Sequence, residues 1–445
     1  MAGLSFLDRE RSVAPPGYSR WLIPPAALAV HLSIGQIYAF SVFKTPLVER
    51  FDSSLTAISI IFSISIAMLG LSAAVFGTWV ERNGPRKAMV AAGLCWSSGF
   101  VIGALGVAVE QLWLVYLGYG FLGGIGLGIG YISPVSTLIK WFPDRRGFIT
   151  GIAVAGFGGG ALVTAPVAER LVEGVGLFET FAILGVVYLV VVTGAAATLS
   201  NPPEDWTPEG WEPTAEQTAE ASGRNYEIRG ALKTWQWFAL WSLLFLNVLA
   251  GISIISEASP IAQEITGVGA ATAAGLVSII SIGNALGRFG WAWLSDAIGR
   301  KWVFLVMFLL QAALFAIMPS VGAYALFAAL AFVVLTCYGG GFGTMPAFAA
   351  DYFGSKNVGQ VYGAMLTAWG IAGVVGPLLI SYIKDSTGEY TNAFYIIAGI
   401  MLVSAIVPFI VRPPSREAVE DGVSESRGDP DARGAGRPAP SAGAR

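Results

Sequence analysis

Apolar stretches of about 20 residues, long enough to cross the hydrocarbon core of a bilayer as helix, recur along this chain. They start near Trp21, Leu55, Ala88, Leu112, Gly147, Leu177, Trp235, Gly269, Trp302, Val321, Val358 and Thr391. A water-soluble fold built from such runs would have to expose large apolar patches; lipid accepts them. Composition agrees, with 55% of the residues hydrophobic and 12% charged, about half the charged share of an ordinary soluble chain. The expected fold class is an all-α integral membrane protein of twelve transmembrane helices. Small residues dilute the eighth and eleventh runs, as close helix contacts in lipid require. Residues 1–20 are mixed in charge and lead into an apolar run too long for a cleavable signal core, so the first span is read as retained.

Between the sixth and seventh runs the composition changes. Residues 199–234 hold four prolines and seven acids from Glu204 to Glu227, the signature of a solvated linker. The division follows: an N-terminal segment 1–20, a six-helix half 21–198, the linker 199–234, a second half 235–412, and a tail 413–445 whose Arg, Gly, Pro, Ser and Asp content predicts disorder. With both termini on one side, that side collects all but five of the 26 lysines and arginines. The exceptions are Lys44, Arg50, Arg170 and Lys384 in opposite loops and Arg288 within a span. Positive charge marks the cytoplasmic side, so both termini are expected in the cytoplasm, with the chain in the plasma or inner membrane and working as a monomer.

The halves echo one another. Gly77-Thr-Trp-Val-Glu81-Arg-Asn-Gly84-Pro85-Arg86-Lys87 follows the second run, and Ala292-Trp-Leu-Ser-Asp296-Ala-Ile-Gly299-Arg300-Lys301 follows the eighth. Acid and glycine recur at a spacing of 215 residues; Pro134 with Pro346, and Gly147 with Gly359, recur at 212. Duplicated six-helix halves with a midplane site between them are a common construction of secondary transporters.

These loops resemble the signature of the major facilitator superfamily, Gly-x-x-x-Asp-x-x-Gly-Arg-Lys, with departures: Glu81 replaces the aspartate and Pro85 the arginine in the first copy, and Ala292 the leading glycine in the second. The resemblance implies two pseudo-symmetric six-helix halves, with Glu81, Gly84, Arg86, Asp296, Gly299 and Arg300 as cytoplasmic gate elements. A narrower resemblance covers Trp21 to Val411. Gly35-Gln36-Ile-Tyr38-Ala-Phe-Ser41-Val-Phe43, and Gly126-Leu-Gly128-Ile-Gly130-Tyr131-Ile-Ser-Pro134 running to Trp141-Phe142-Pro143-Asp144-Arg145-Arg146-Gly147, look like the oxalate/formate antiporter family, which is related to the monocarboxylate transporters.

Arg288 is the one Lys, Arg, Asp or Glu well inside a predicted span, where insertion costs roughly 2.5–3.5 kcal/mol. A midplane guanidinium suits a carboxylate, which it can hold bidentately; the plainer alternative is an arginine paired with helix carbonyls or snorkelling to the interface. The family resemblance implies the former, since an arginine of the eighth helix is that family's substrate-binding cation. Asn284, one helical turn earlier, stands where animal monocarboxylate transporters carry an acid. It reads equally as a site residue or as packing. Gln36 and Tyr38, in the first span, are polar groups that need partners in lipid; Tyr131, Tyr338 and Phe342 match aromatic positions that line the family's cavity, and with Arg288 they describe an aromatic box suited to a small planar anion. Transporters specialised for the oxalate dianion carry lysine within Thr-Ala-Lys of the eleventh helix; this chain reads Thr367-Ala368-Trp369. One cation favours a monocarboxylate such as lactate, pyruvate, formate or glycolate. His31, the single histidine, is either a core residue or a proton relay.

Other classes fit poorly. The chain has no Gly-Lys dipeptide to end a phosphate-cradling loop. Gly118-Tyr-Gly120-Phe-Leu-Gly123 matches a dinucleotide pattern, but inside a continuous apolar run rather than at a strand–helix turn. No cofactor, metal or catalytic group is indicated, no basic stripe invites nucleic acid, and Cys95 and Cys337 sit singly in apolar runs. The expected activity is alternating-access transport of a small carboxylate, most simply a monocarboxylate with a proton. Carboxylate exchange is the second reading, and a non-transporting anion sensor a remote third.

Overall fold

The structure is a computed structural model describing residues 5–53, 55–204, 206–212 and 225–414. The tail beyond 414, read above as disordered, and the central linker residues 213–224 lie outside the described residues. Long helical spans follow in sequence. The first, α1 (Ile23–Ile34), passes through a 3-10 turn at Gly35–Ala39 into a second segment, Ser41–Phe51. Then come α2 (Leu55–Asn83) and α3 (Pro85–Ala108). The fourth begins at Leu112–Val115, widens into a π-helical stretch at Tyr116–Leu122 and continues as α4 (Gly123–Trp141). After α5 (Arg146–Val175) and α6 (Leu177–Ala195) come the linker and α7 (Trp235–Thr266), α8 (Ala270–Ile298), α9 (Arg300–Ile317) and α10 (Tyr324–Phe353). Val358–Met365 leads into α11 (Thr367–Thr387), and α12 (Thr391–Ser404) closes the fold.

Every helical start falls within three residues of the start read from hydropathy. Among the described residues, eleven helices are long and apolar enough to cross a membrane. The 29-residue α8 is the twelfth long helix and falls outside that set; it is the helix that carries Arg288. Large apolar side chains such as Leu71, Val75, Val190, Leu402 and Val403 point outward at 52–67% exposure, a surface suited to hydrocarbon rather than water. The glycine triplet at Gly118, Gly120 and Gly123 lies in the π stretch and the first residue of α4, away from any strand. In α7 the helix breaks at Glu257 (φ −122°, ψ 19°), three residues before Pro260, whose ring obstructs the preceding turn.

The two helix groups meet along α5 against α8 and α2 against the α11 region. At one face lie Ser12, Ala14, the loop at Gly84, Asn201 and Val411. Ala14 N donates to the Asn201 carbonyl at 2.9 Å, and Tyr352 Oη to the Val411 carbonyl at 3.1 Å. Both described ends of the chain, the linker ends and the repeated loops therefore share that face, called the gate face below.

On it the two echoes found in the sequence cross. Asp296 of α8 accepts from the Gly147 and Phe148 amides of α5 at 3.0 and 2.7 Å. Glu81 of α2 accepts from the Gly359 amide at 2.9 Å. Each acid of one copy thus caps the free amides of a helix in the opposite half, where the helix dipole favours negative charge. Gly84 (φ 83°) and Gly299 (φ 91°) provide the left-handed turns behind them. The surrounding charges differ. Arg300 binds Asp296 at 2.6 Å and Asp351 at 3.0 Å, and Arg146 reaches Asp351 at 2.9 Å. In the first copy Lys140 pairs with Glu81, whereas Arg86 turns to Ser200 Oγ at 2.9 Å and stacks on Phe6 at 4.4 Å. Of the residues that the resemblance names as gate elements, Glu81, Asp296 and Arg300 lie against the opposite half, while Gly84 neighbours Ser12 and Gly299 neighbours Trp302. Arg86 holds the linker instead.

Candidate functional site

Arg288 lies at the centre of the fold with no solvent exposure. Its Nε donates to Asn284 Oδ1, one turn back on α8, at 3.2 Å, and its Nη2 to Tyr38 Oη at 3.4 Å. Its Nη1 has no hydrogen-bond partner. Phe342 of α10 and Phe157 of α5 cover the guanidinium, their ring centres 4.7 and 5.3 Å from Cζ.

Magnitudes show what this arrangement leaves undone. Two desolvated cation–π contacts contribute about 2 kcal/mol each, close to the insertion cost of roughly 2.5–3.5 kcal/mol. They do nothing for the unpaired Nη1 hydrogens, whose burial costs about 1–3 kcal/mol. An anion meeting Nη1 supplies the missing acceptor and the missing counter-charge together.

The helix irregularities deliver the rings. The 3-10 turn in the first span places Tyr38 edge-on to Phe157, with centroids 5.2 Å apart. Close contact of α8 with α10 does the rest: side chains at Gly287 and Gly343 would strike the carbonyls of Thr336 and Arg288. Tyr338 and Phe342 are thereby pressed toward the arginine. Tyr338 Oη lies 3.5 Å from Tyr38 Oη. Trp369 of α11 packs on Phe342 at 4.5 Å and Phe157 at 5.5 Å, with its Nε1 unpartnered. Tyr131 of α4 faces Phe157 at 5.5 Å and Trp369 at 6.0 Å, and its hydroxyl is 3.5 Å from that of Tyr362.

The structure thus gathers Arg288, Asn284, Tyr38, Tyr131, Tyr338, Phe342 and Trp369 into one cluster drawn from both halves. Gln36 is engaged elsewhere: its Oε1 accepts from Tyr119 Oη at 3.1 Å within the N-terminal helices. His31 is fully buried beside Tyr131, with ring centroids 5.2 Å apart. Phe157 and Tyr362 belong to the cluster and escape the sequence reading. Apolar runs hold many aromatic residues, and nothing local says which face a phenylalanine in a glycine-rich helix such as α5 presents.

Two acids of the second half, Asp351 and Glu257, are occupied away from this cluster. Asp351 is held by Arg146 and Arg300 at the gate face, and Glu257 accepts from Tyr390 Oη at 3.2 Å.

A family model described as Major Facilitator Superfamily matches residues 26–289 and 240–440. The chain is 27% identical over 369 residues to an uncharacterized MFS-type transporter of Escherichia coli K12, YhjX, covering 81% of this chain and 88% of that one. It is 25% identical to the oxalate:formate antiporter of Oxalobacter formigenes, covering 89% and 93% of the two chains. With human monocarboxylate transporter 11 the identity is 26%, over 90% and 84% of the two chains. In three dimensions it resembles the fucose:proton symporter of E. coli, with a TM-score of 0.66 at 15% identity over 89% of this chain and 100% of that one.

Proposed function

The chain belongs to the major facilitator superfamily, a multi-pass membrane transporter, and on that premise we propose that it carries small monocarboxylates across a cell membrane together with a proton. The observation that carries this reading is the buried guanidinium of Arg288 with its unpartnered Nη1 among aromatic rings. A carboxylate docks there as one planar anion against one planar cation, and the rings keep water from competing for it. Trp369 offers a neutral N–H where a second cation would be needed to hold a dianion. Lactate, formate, pyruvate and glycolate match that charge.

The halves rock about this site in alternating access. The crossed contacts of Asp296 and Glu81 close the gate face in the present conformation. The lysine and arginine bias puts that face in the cytoplasm, and the site works within a single chain. The relatives named for oxalate:formate antiport and monocarboxylate transport support a carboxylate cargo. Exchange of one carboxylate for another is the second reading, favoured by the fact that Arg288 meets an amide, Asn284, where a carboxylate would couple a proton directly.

The test is uptake of labelled lactate, formate and oxalate into proteoliposomes, with and without an imposed proton gradient and with each anion preloaded. Lactate or formate uptake that follows the proton gradient is the expected result. Uptake that requires an internal carboxylate identifies an exchanger, and uptake of oxalate alone overturns the one-cation argument.

A further inference from the structure

His31 has an unusual division of labour between its two ring nitrogens. Nδ1 lies 2.9 Å from the carbonyl oxygen of Ala27, one turn back on α1. A carbonyl only accepts, so Nδ1 carries the hydrogen and Nε2 carries the lone pair. That Nε2 is buried without a hydrogen-bond partner. The imidazole is therefore held as a neutral base with its accepting atom free.

The groups around it are few. From α4 comes Tyr131, edge-on with ring centroids 5.2 Å apart. From α5 come Gly156, where an added Cβ would lie 3.2 Å from that of His31, and the non-titrating Phe157. Arg288 of α8 stands on the same stretch of α5, where a Cβ added at Gly158 would lie 3.3 Å from its Cδ; α6 also packs on α1. Among these described groups His31 and Arg288 are the two able to carry positive charge, and both are fully buried.

We infer that His31 takes up the coupled proton, on Nε2, when a carboxylate binds at Arg288. The inference rests on the monocarboxylate reading above and gives it a mechanism. With the enclosure empty, a proton on His31 would sit against the Arg288 charge in a low-dielectric interior and is repelled. An anion on Arg288 cancels that repulsion and adds its own attraction. Proton and carboxylate then bind with positive coupling, each raising the affinity for the other by the same factor. The proton comes from hydronium on the open side: an N–H bond forms on Nε2 as an O–H bond of hydronium breaks and leaves water. After the halves rock, loss of the anion restores the repulsion and expels the proton on the other side. Loaded with proton and anion, the site holds two positive charges and one negative, a single net cation, the same net charge as the empty site.

Calorimetric titration of lactate and of formate into the purified full chain, in buffers of different ionisation enthalpy, counts protons taken up on binding. The wild type is expected to take up about one proton per anion, and His31→Gln close to none. In proteoliposomes carrying an internal pH dye, a lactate gradient should acidify the lumen of wild-type vesicles. His31→Gln should lower that acidification by about tenfold or more, while lactate counterflow persists. Proton uptake at wild-type stoichiometry in His31→Gln overturns the inference. If His31→Gln loses counterflow, His31→Asn and the calorimetric proton count decide in the same way. A wild type that binds and moves lactate without taking up a proton overturns the inference alone. A wild type that binds neither lactate nor formate overturns it together with the reading on which it rests.

Discussion

The planar fork of the Arg288 guanidinium matches a carboxylate edge in a way that an ammonium does not. Replacing it with lysine retains charge but loses the paired geometry and the Nε bond to Asn284. Loss of one such charged hydrogen bond costs about 1.5–3 kcal/mol, or roughly ten- to a hundredfold in affinity. Arg288→Lys is expected to weaken lactate binding by that amount, and Arg288→Ala to abolish uptake while the protein still elutes as a folded species from size exclusion. Asn284→Asp would place a carboxylate against Nε and neutralise the site; an increase in anion affinity on that substitution would contradict a role for the free charge. At Trp369 a second cation is the informative change. Trp369→Lys should move the lactate-to-oxalate preference toward oxalate by about tenfold, measured by competitive uptake. Sequence alone identified the arginine because a lone charge in hydrocarbon is costly wherever it points. The aromatic residues carry no such cost, which is why Phe157 and Tyr362 needed the structure; Gln36, whose Oε1 accepts from Tyr119 while its Nε2 has no partner, stands apart from the arginine cluster.

At the scale of helices, hydropathy located the starts because membrane thickness fixes the length of an apolar run. It could not locate the breaks. The 3-10 turn at Gly35–Ala39 and the π stretch at Tyr116–Leu122 fall inside runs that hydropathy reads as continuous. Glycine content likewise announces close contact without naming the partner. The structure names it for Gly287, whose missing side chain admits the Thr336 backbone of α10. Gly287→Val should force α8 and α10 apart at a cost of about 1–3 kcal/mol, lowering the thermal unfolding midpoint in detergent. An unaltered midpoint would show that the contact yields without strain.

For the whole molecule, the crossed capping at the gate face ties the halves by two acids, each from one repeat and each seated on a helix of the other. The repeat spacing was visible in the sequence, but the crossing was not, since a spacing says nothing about which copies touch. Because Thr78 of α2 and Gln360 lie side by side there, with Oγ1 and Oε1 3.1 Å apart, cysteines at both positions should be joined by a short thiol-cleavable cross-linker. Transport should then stop and return on reduction. Continued transport by the cross-linked protein would mean that this face does not open.

The glycine-mediated contact between α8 and α10 carries a consequence for the cation itself. Phe342 and Arg288 ride on helices locked together, whereas Phe157 and Tyr38 belong to the other half. Any motion that parts the halves leaves the guanidinium with one of its two rings and removes the Tyr38 oxygen that accepts from its Nη2. The charge is therefore least sheltered in whichever conformation is open. The anion it then recruits from water arrives as a replacement for the ring and hydroxyl that have moved away, so the emptied half of the enclosure and the incoming substrate compete for the same face of one side chain.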